Sequence, residues 1–355
     1  MAKPAVTVLI DTFNHERFIE QAIESVLAQD FPRAEMEILV VDDGSTDRTP
    51  EIVRKFEPQV RLIRKPNGGQ ASAFNAGIPE ARGEFVAFLD GDDWWEPHKL
   101  TRVAEAFSAD PSLGIVGHGI VMLHRDGSVQ SESLHEDCNF QANTLAGVRL
   151  FRRLGSQLGT SRMTIRADLL RRIGHVPEEI VFQSDEYLYT LACLLAPARI
   201  LPDALTYYRL HDANLFQFSV PTDDLLRRKK NVMEALRRCL GSELPARGVA
   251  PGVAREVLEF IQGWADQLRL MLGDGWPWET ARTELILYDA MHPDASTSQR
   301  AFKTMTLVPA LVMPPKLFYK IRYRVATSEL YLNARKRWLP IPEMTHLKRT
   351  RRAAS

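Results

Sequence analysis

Three carboxylates occupy four consecutive positions directly after an apolar run that is typical of a buried strand. Asp90, Asp92 and Asp93 follow the segment 84–89 (EFVAFL), with Gly91 between the first two. Like charges this close repel one another, so one carboxyl must hold a proton unless a cation lies among them. Ligand sets made only of oxygen select hard cations such as Mg²⁺ or Mn²⁺. The acidic turn therefore predicts a divalent metal site.

A second acidic strand end lies earlier in the chain. The apolar run 38–41 (ILVV) is followed directly by Asp42 and Asp43. In open α/β sheets, ligands bind at the carboxyl ends of the strands. Two strands that both end in aspartate therefore predict a combined metal and nucleotide site.

The elements that must position these residues alternate between strand and helix over the first hundred positions. This alternation predicts an α/β fold with a mostly parallel sheet and right-handed crossovers. The apolar patterns and the cap residues predict strands at 5–10, 38–41, 60–64 and 84–89, and helices at 15–29, from 49 onward and at 70–78.

Beyond residue 97 the pattern loosens and indicates a mixed sheet, followed by a helical region. We expect strands at 114–123, 161–166 and 204–210, a turn at 125–128, and helices at 97–107, 167–173 and 185–195. From residue 221 onward the patterns predict helices only, at 225–240, 253–272 and 280–291. We therefore predict a domain boundary near residue 220.

Composition is ordinary for an enzyme of 355 residues, with 45 basic and 45 acidic side chains. The charge is unevenly placed, because residues 316–355 carry eleven Lys and Arg against two Glu. The apolar runs are shorter than the roughly 20 residues that span a bilayer. The cysteines are scattered without CxxC spacing, which predicts a reducing, cytoplasmic location: Cys138, Cys193 and Cys239.

A glycine-containing segment, 67–77 (NGGQASAFNAG), opens the third predicted helix. Two glycines at a helix start let backbone amides approach an anion closely, although a tight turn with close helix packing explains them equally well. The chain has no GxGxxG after its first strand and no GxxxxGK[ST]. Neither a dinucleotide-binding Rossmann domain nor a P-loop is supported.

Five blocks in one order resemble family 2 glycosyltransferases, the inverting enzymes with a GT-A fold. They are residues 6–14, 22–29, 41–47, 67–77 and 89–93, and weaker similarity continues to about residue 215. The resemblance implies a Rossmann-like GT-A domain over 1–220, with a nucleotide-sugar-binding half at 1–113 and an acceptor half at 114–220. A helical region at 221–341 and a basic, flexible tail at 342–355 would follow.

The resemblance also implies roles for individual residues. Asp11 would accept a hydrogen bond from the nucleotide base, although many family members have Pro or Thr there. Phe13 would stack on the base or pack beneath the helix, and Asp42 would serve as a turn or cap residue. The implied donor-binding residues are Asp11, Thr12, Phe13, Asp43, Asn67, Gly68, Gly69, Ala71, Asn75, Asp90, Gly91 and His211.

The family's DxD element corresponds to Asp90 and Asp92. Asp92 and His211 are the implied ligands of a divalent cation, Mn²⁺ or Mg²⁺. Asp93 would either cap the helix near Pro97 or contact the metal. Arg209 would pair with a carboxylate.

Displacing a nucleoside diphosphate from an anomeric carbon requires one base, which takes the proton of the acceptor hydroxyl. Asp185 corresponds to the family's catalytic aspartate. Glu186 remains an alternative base, and Asp185 as a simple helix cap remains an alternative interpretation.

The implied activity is a metal-dependent hexosyltransferase of polysaccharide or glycolipid synthesis, with a nucleotide-sugar donor, expected to be UDP-linked, and a saccharide or lipid-linked acceptor. A nucleotidyltransferase and a non-catalytic nucleotide-sugar-binding scaffold remain alternatives. Cations and aromatic residues mix at 316–324, as in an interfacial helix on anionic lipid, which would give peripheral contact with the inner face of the membrane. A solvated helix face followed by a frayed tail from about Pro342 explains the pattern equally well. No module for nucleic acid accompanies the basic charge.

Overall fold

The computed structural model describes residues 4–124, 127–211, 222–326 and 345–351. The strands are β1 (Val6–Thr12), β2 (Met36–Asp42), β3 (Arg61–Arg64), β4 (Phe85–Asp90), β5 (Trp94–Trp95), β6 (Ile115–Leu123), β7 (Ser128–Leu134), β8 (Cys138–Phe140), β9 (Thr164–Arg166), β10 (Ala198–Arg209) and β11 (Thr345–Arg351). The helices are α1 (Ile19–Leu27), α2 (Thr49–Arg54), α3 (Gln70–Gly77), α4 (Lys99–Ala109), α5 (Leu145–Leu154), α6 (Ala167–Ile173), α7 (Ser184–Leu195), α8 (Asp223–Ala246), α9 (Pro251–Leu272), α10 (Pro277–Met291), α11 (Thr297–Thr306) and α12 (Pro315–Ala326).

The chain divides into two compact units. The first comprises 1–143, 154–217 and 344–355, and it contains the sheet. The second comprises 144–153 and 218–343, and the elements described within it are helices. Within the described ranges, no helix is long and apolar enough to cross a membrane.

The sheet of the first unit is mixed, as the sequence predicts. Its main order is β3-β2-β1-β4-β9-β6-β7-β11, and β10 lies parallel to β6. β1, β2, β3 and β4 form a parallel block, in which Asp11 lies opposite Asp90 and Thr12 lies opposite Asp42. This register brings the predicted acidic strand ends to one edge of the sheet.

Helices cover both faces of the parallel block. Ile10 and Leu89 are buried in one apolar cluster with Ile23 of α1. On α3, the ring of Phe74 packs edge-on against Phe88 of β4, with 5.1 Å between ring centroids. These apolar contacts hold the strand ends in a fixed register beneath the site.

The structure differs from the predicted strand at 161–166. Residues Thr160–Arg162 form a 3₁₀ turn, and only Thr164–Arg166 are a strand. The carbonyl of Ser161 accepts hydrogen bonds from Trp95 Nε1 at 2.8 Å and Thr206 Oγ1 at 2.7 Å. These side-chain donors replace the ladder bonds that a strand would make, and they fix the turn beside the acidic residues.

Two further segments differ from the sequence expectation. β10 begins at Ala198, before the predicted start at 204. Residues Thr345–Arg351, within the predicted flexible tail, form an edge strand antiparallel to β7. The edge of β7 offers unpaired backbone groups, and the chain satisfies them with this segment.

Candidate functional site

The turn after β4 approaches β1 closely. The backbone N–H of Gly91 donates a hydrogen bond to the Asp11 carbonyl at 2.9 Å. A Cβ at position 91 would lie 2.7 Å from Thr12 Oγ1 and 2.9 Å from His15 Nδ1. Glycine is therefore required for the acidic turn to sit against the loop that follows β1.

Asp11 is a buried carboxyl with an unsatisfied oxygen. Its Oδ1 has no hydrogen-bond partner among the described residues. Burial, followed by the charge of Asp92, raises the pKa of Asp11 to about 8. A buried polar atom without a partner is uncommon in folded proteins, and this marks Asp11 as a candidate ligand-binding residue.

Asp90 lies opposite Asp11 and is held from two sides. Gln70 Nε2 lies 3.4 Å from its Oδ1, and Ser161 Oγ lies 3.3 Å from its Oδ2. Burial raises the pKa of Asp90 well above its usual value, and the charges of Asp11 and Asp93 raise it further. The repulsion predicted for the acidic turn is therefore present.

Asp92 lies between two histidines. His211 Nε2 is 2.8 Å from Asp92 Oδ2, and His15 Nε2 is 3.9 Å from the same oxygen. Burial alone would raise the pKa of Asp92, but His15 and His211 lower it below its usual value. Asp92 is thus kept ionised, and it lies beside the second residue predicted to bind metal.

The donor set fits a divalent cation only in part. Across the described residues, no group of three or more His, Cys, Asp or Glu side chains is arranged to hold a metal ion. Asp92 and His211 supply two ligands from the chain. Mg²⁺ and related ions are often held by one or two protein ligands, with substrate phosphates and water completing the shell. The pair fits that kind of site.

Asp93 has a structural position. It is buried, and its carboxylate accepts hydrogen bonds from Ser161 Oγ at 2.6 Å and from the Arg209 N–H at 3.2 Å. The residue that precedes α4 is His98, and no side chain caps that helix. The interpretation of Asp93 as a helix cap is therefore wrong, because its oxygens tie the acidic turn to β10 and the 160–162 turn.

Asp43 and the glycine loop bind each other. The N–H of Gly69 donates to Asp43 Oδ2 at 2.7 Å, the N–H of Gly68 lies 3.1 Å from Oδ1, and Lys65 Nζ lies 2.7 Å from Oδ1. The backbone amides of Gly68 and Gly69 are those expected to approach an anion. The anion that they bind is the carboxylate of Asp43, which belongs to the chain itself. Asp42, as predicted, is a turn residue that accepts from the Ser45 N–H at 3.0 Å.

The other predicted residues of the glycine segment differ in position. Asn67 is exposed, and Ala71 is buried in α3. The side chain of Asn75 donates to the Val176 carbonyl at 2.8 Å and accepts from the Val176 N–H at 2.8 Å. Both ends of this amide bind the backbone of Val176, so Asn75 braces the loop at that residue, and its contact with the donor stays a prediction.

The loop after β1 exposes an aromatic ring. Phe13 is 42% exposed, so the interpretation that it packs beneath the helix is wrong. Thr12 is buried, and its Oγ1 lies 3.2 Å from His15 Nδ1. Phe13 is therefore available to stack on a planar ligand.

Asp185 lies in the first turn of α7 and belongs to the same acidic group. Its Oδ2 accepts from the Thr160 N–H at 3.0 Å and from Thr160 Oγ1 at 3.2 Å, and its Oδ1 accepts from the Glu186 N–H at 2.9 Å. Burial raises the pKa of Asp185, and the hydrogen bonds oppose that rise. The charge of Asp185 also raises the pKa of both Asp11 and Asp90.

Glu186 has a different environment. Burial, followed by the charge of Asp185, raises the pKa of Glu186 to about 8. Its hydrogen-bond contact is with Gln183 Nε2 at 3.4 Å. Glu186 is therefore mostly protonated at neutral pH, whereas Asp185 is stabilised as a carboxylate by three donors.

Gln70 is a site residue that the sequence does not reveal. Its Nε2 contacts Asp90 and also lies 3.1 Å from Thr160 Oγ1, while its Oε1 accepts from the Ser184 N–H at 3.0 Å. The amide thus joins the acidic turn to the start of α7. Its position directly after two glycines is the only sequence signal that could have identified it.

A column of stacked side chains ends at the pair Asp92 and His211. Arg209 lies 4.6 Å from the ring centroid of Trp94 and 4.9 Å from that of Phe18. Trp94 stacks on Tyr207 at 4.9 Å, and Phe18 lies 4.7 Å from the ring of His211. Arg209 Nε also lies 3.3 Å from the Asp92 carbonyl, and its Nη2 donates to Gln21 Oε1 at 2.5 Å, so aromatic rings, a backbone carbonyl and an amide oxygen take the place of the predicted carboxylate partner.

Comparison with known proteins points to one family. Residues 7–163 match the model described as glycosyl transferase family 2. An uncharacterized glycosyltransferase of Nostoc sp. is 34% identical over 226 residues, which cover 59% of this chain and 66% of the relative. The poly(ribitol-phosphate) beta-N-acetylglucosaminyltransferase TarS of Staphylococcus aureus is 30% identical over 57% of this chain and 35% of the relative. The chain thus spans less than two thirds of the length of these relatives.

Solved structures share the fold. The crystal structure of S. aureus TarS 1–349 in complex with UDP-GlcNAc has a TM-score of 0.58 at 20% identity, over 97% of this chain and 96% of that chain. A mannosyltransferase from Pyrobaculum calidifontis in complex with GDP-Man and Mn²⁺ has a TM-score of 0.51 at 21% identity, over 94% and 84%. At these identities the likeness shows the fold alone.

Proposed function

We propose a function for a chain that belongs, through residues 7–163, to glycosyl transferase family 2: transfer of a sugar from a nucleoside diphosphate to a hydroxyl acceptor, with inversion at the anomeric carbon. The observation that carries this proposal is a single acidic site, in which the Gln70 amide contacts both Asp90 and Thr160, and Thr160 donates a hydrogen bond to Asp185. Such a site has one group for the leaving diphosphate and another for the attacking hydroxyl.

The donor is proposed to be a nucleotide sugar with uridine as the base. Asp11, which retains its proton and has an unsatisfied oxygen, can both donate to and accept from the imide edge of uracil. The exposed ring of Phe13 can stack on the base. Two structural neighbours support a nucleotide sugar in general, because one binds UDP-GlcNAc and the other GDP-Man.

Asp92 and His211 are proposed to hold Mn²⁺ or Mg²⁺. When bound, such an ion neutralises the negative charge that develops on the departing diphosphate. The chain contributes the orientation of the two ligands, because Phe18 packs on the His211 ring and Arg209 Nε donates to the Asp92 carbonyl. A mannosyltransferase neighbour that contains Mn²⁺ is consistent with this choice of ion.

Asp185 is proposed to be the base. It takes the proton of the acceptor hydroxyl as that oxygen attacks the anomeric carbon, and the bond to the diphosphate breaks in the same displacement. Its raised pKa makes it a stronger base than an exposed carboxylate, while the hydrogen bonds from Thr160 favour the ionised form and orient it. Glu186, with a pKa of about 8, is mostly protonated at neutral pH and is the weaker candidate.

The acceptor is proposed to be a saccharide or a lipid-linked acceptor in polysaccharide or glycolipid synthesis, in line with a relative named chondroitin synthase from Pasteurella multocida. The predicted cytoplasmic location stays a prediction.

The test is to incubate the protein with a panel of UDP-sugars, oligosaccharide acceptors and Mn²⁺, and to identify both products. A glycosyltransferase releases the nucleoside diphosphate and leaves a β-linked product from an α-linked donor. A nucleotidyltransferase would release pyrophosphate, and a scaffold would bind the donor without turnover.

A further inference from the structure

The C-terminal part of the second unit exposes an unusual number of large apolar side chains. Seven of them, between 42% and 83% exposed, occur from residue 305 to residue 325: Met305, Val308, Leu311, Val312, Leu317, Ile321 and Val325. We call these seven residues the apolar face. Soluble monomers rarely expose apolar patches of this kind unless the patch binds something.

The apolar face is additional to the core of the unit. Leu307, Ala310 and Phe318 from the same segment are buried in one cluster with Leu270 of α9. On α12, Leu317, Ile321 and Val325 recur every four residues, so they form a stripe along one side of the helix. The segment thus has one apolar side that packs inward and a second that faces outward.

The charged residues of the segment that carries the apolar face have one sign. From residue 295 to residue 326 there is no Asp or Glu, and the cations are Arg300, Lys303, Lys316, Lys320, Arg322 and Arg324. Four of them form ion pairs within the unit: Arg300 with Asp289, Lys303 and Arg322 with Glu284, and Lys316 with Asp223. Lys320 and Arg324 lie exposed on α12 beside the apolar stripe.

The charge of the segment distinguishes between two possible partners of the apolar face, a second copy of the chain and an anionic bilayer. Two copies of the chain joined about a two-fold axis would bring the same cations toward one another, which is unfavourable. An amphipathic segment that contains cations and no acidic residue suits a bilayer that carries anionic headgroups, and its apolar side chains would insert at the acyl boundary.

We propose that the apolar face is a docking surface for an anionic phospholipid bilayer. In this arrangement α12 and the segment 305–312 lie in the plane of the headgroups, and Lys320 contacts lipid phosphate. The inference does not depend on the reaction proposed above.

The test uses the full chain and sedimentation with vesicles of phosphatidylcholine, with or without phosphatidylglycerol. We expect the wild-type chain to bind the vesicles that contain phosphatidylglycerol, and less so at high salt. The double variant Leu317→Glu/Ile321→Glu should lose at least about tenfold in partition, because it places two carboxylates in the acyl boundary. Lys320→Gln should lose about fivefold, the factor for one cation near an anionic surface.

The matched control is Leu145→Glu. Leu145 is 47% exposed and lies near Gly252 at the start of α9, whereas the apolar segment packs on Leu270 near the other end. With about 1.5 Å of rise per residue, the two points on α9 are about 27 Å apart. The control variant should bind vesicles as the wild-type chain does.

Three results would overturn the proposal. They are equal binding to neutral and anionic vesicles, wild-type binding by the double variant, and a wild-type dimer that the double variant converts to a monomer. Thermal melting and binding of UDP-sugars, measured on every variant, identify a folding defect. They also separate failure of this inference from failure of the proposed reaction.

Discussion

Replacing Asp185 with asparagine should remove the base while leaving the donor site in place. Asp185 accepts three hydrogen bonds, two on Oδ2 from Thr160 and one on Oδ1 from the Glu186 N–H. An amide nitrogen cannot accept a hydrogen bond. The asparagine of the Asp185→Asn variant must therefore lose either the one bond from the Glu186 N–H or the two bonds from Thr160. A buried donor left without its partner costs about 1–3 kcal/mol of stability.

The effect on the reaction should be much larger. General-base catalysis contributes about 10²–10⁴ in rate, which corresponds to about 3–5 kcal/mol in the activation free energy. We therefore expect kcat of Asp185→Asn to fall by about that factor. The Kd for the donor should change by less than about threefold, because Asp185 acts on the proposed donor residue Asp11 only through its charge.

Two measurements separate these effects. Steady-state release of nucleoside diphosphate gives kcat, and calorimetric titration gives the Kd for the donor. Asp168→Asn is the matched control, since Asp168 is an exposed aspartate in the first turn of α6 that accepts from a neighbouring N–H. Near-wild-type kcat in Asp185→Asn would refute the reasoning, and a comparable loss in Glu186→Gln alone would transfer the role of base to Glu186.

Three further predictions follow from particular contacts. Phe13→Ala should weaken binding of UDP about 5- to 150-fold, the range for loss of a base–aromatic stack, with no change in Tm because Phe13 is exposed. Arg209→Lys should weaken Mn²⁺ binding in the presence of UDP, because lysine cannot contact Trp94, Phe18 and the Asp92 carbonyl together. Unchanged Kd values in either titration would contradict these two predictions. Glu284→Gln should destabilise the fold by about 2–3 kcal/mol at pH 7, because Arg322 and Lys303 overcome burial and lower the pKa of Glu284 to about 2. Burial also lowers the pKa of Lys303, so part of the stabilisation from the ion pair is offset by desolvation of the lysine. We therefore expect the loss of stability in Glu284→Gln to be about 2 kcal/mol. Because the pKa of Glu284 is lower in the folded state, its contribution to the free energy of unfolding is complete above about pH 4.5 and is lost as the pH falls toward 2. Urea unfolding measures the difference in this free energy between the wild-type chain and Glu284→Gln. The same difference at pH 7 and pH 3 would contradict the prediction.

The parallel block and its acidic edge could be predicted because their signals are local. Apolar runs such as 38–41 and 84–89 end directly in aspartate, and strand ends of a parallel block meet at one edge. The turn at 160–162 could not be predicted, because Trp95 and Thr206 determine its geometry from remote positions. Strands β7 and β8 and helix α5 also lie outside the sequence prediction, since their patterns are short and partly polar.

The candidate site shows the same division. The aspartates at 11, 90, 92 and 185 are recognised by resemblance, and their charges act on one another in the fold. The partners of those residues are not recognisable, because Gln70 meets Thr160 and Ser184 only through tertiary packing. The pairing of Asp43 with the glycine amides was likewise hidden, since a glycine-rich helix start predicts an anion without telling whether a ligand or the chain itself supplies it.

The proposed function depends most on the assignment of Asp92 as a ligand of a divalent ion that also binds the diphosphate of UDP. The direct measurement is a titration of Mn²⁺ in the presence of UDP, followed by the paramagnetic resonance signal of the free ion. The control is Asp203→Asn, because Asp203 is an aspartate of β10 that pairs with Arg102. We predict one Mn²⁺ bound per wild-type and Asp203→Asn chain, and at least a tenfold weaker affinity for Asp92→Asn. Equal affinity in all three proteins, or no bound Mn²⁺ in any of them, would contradict the account.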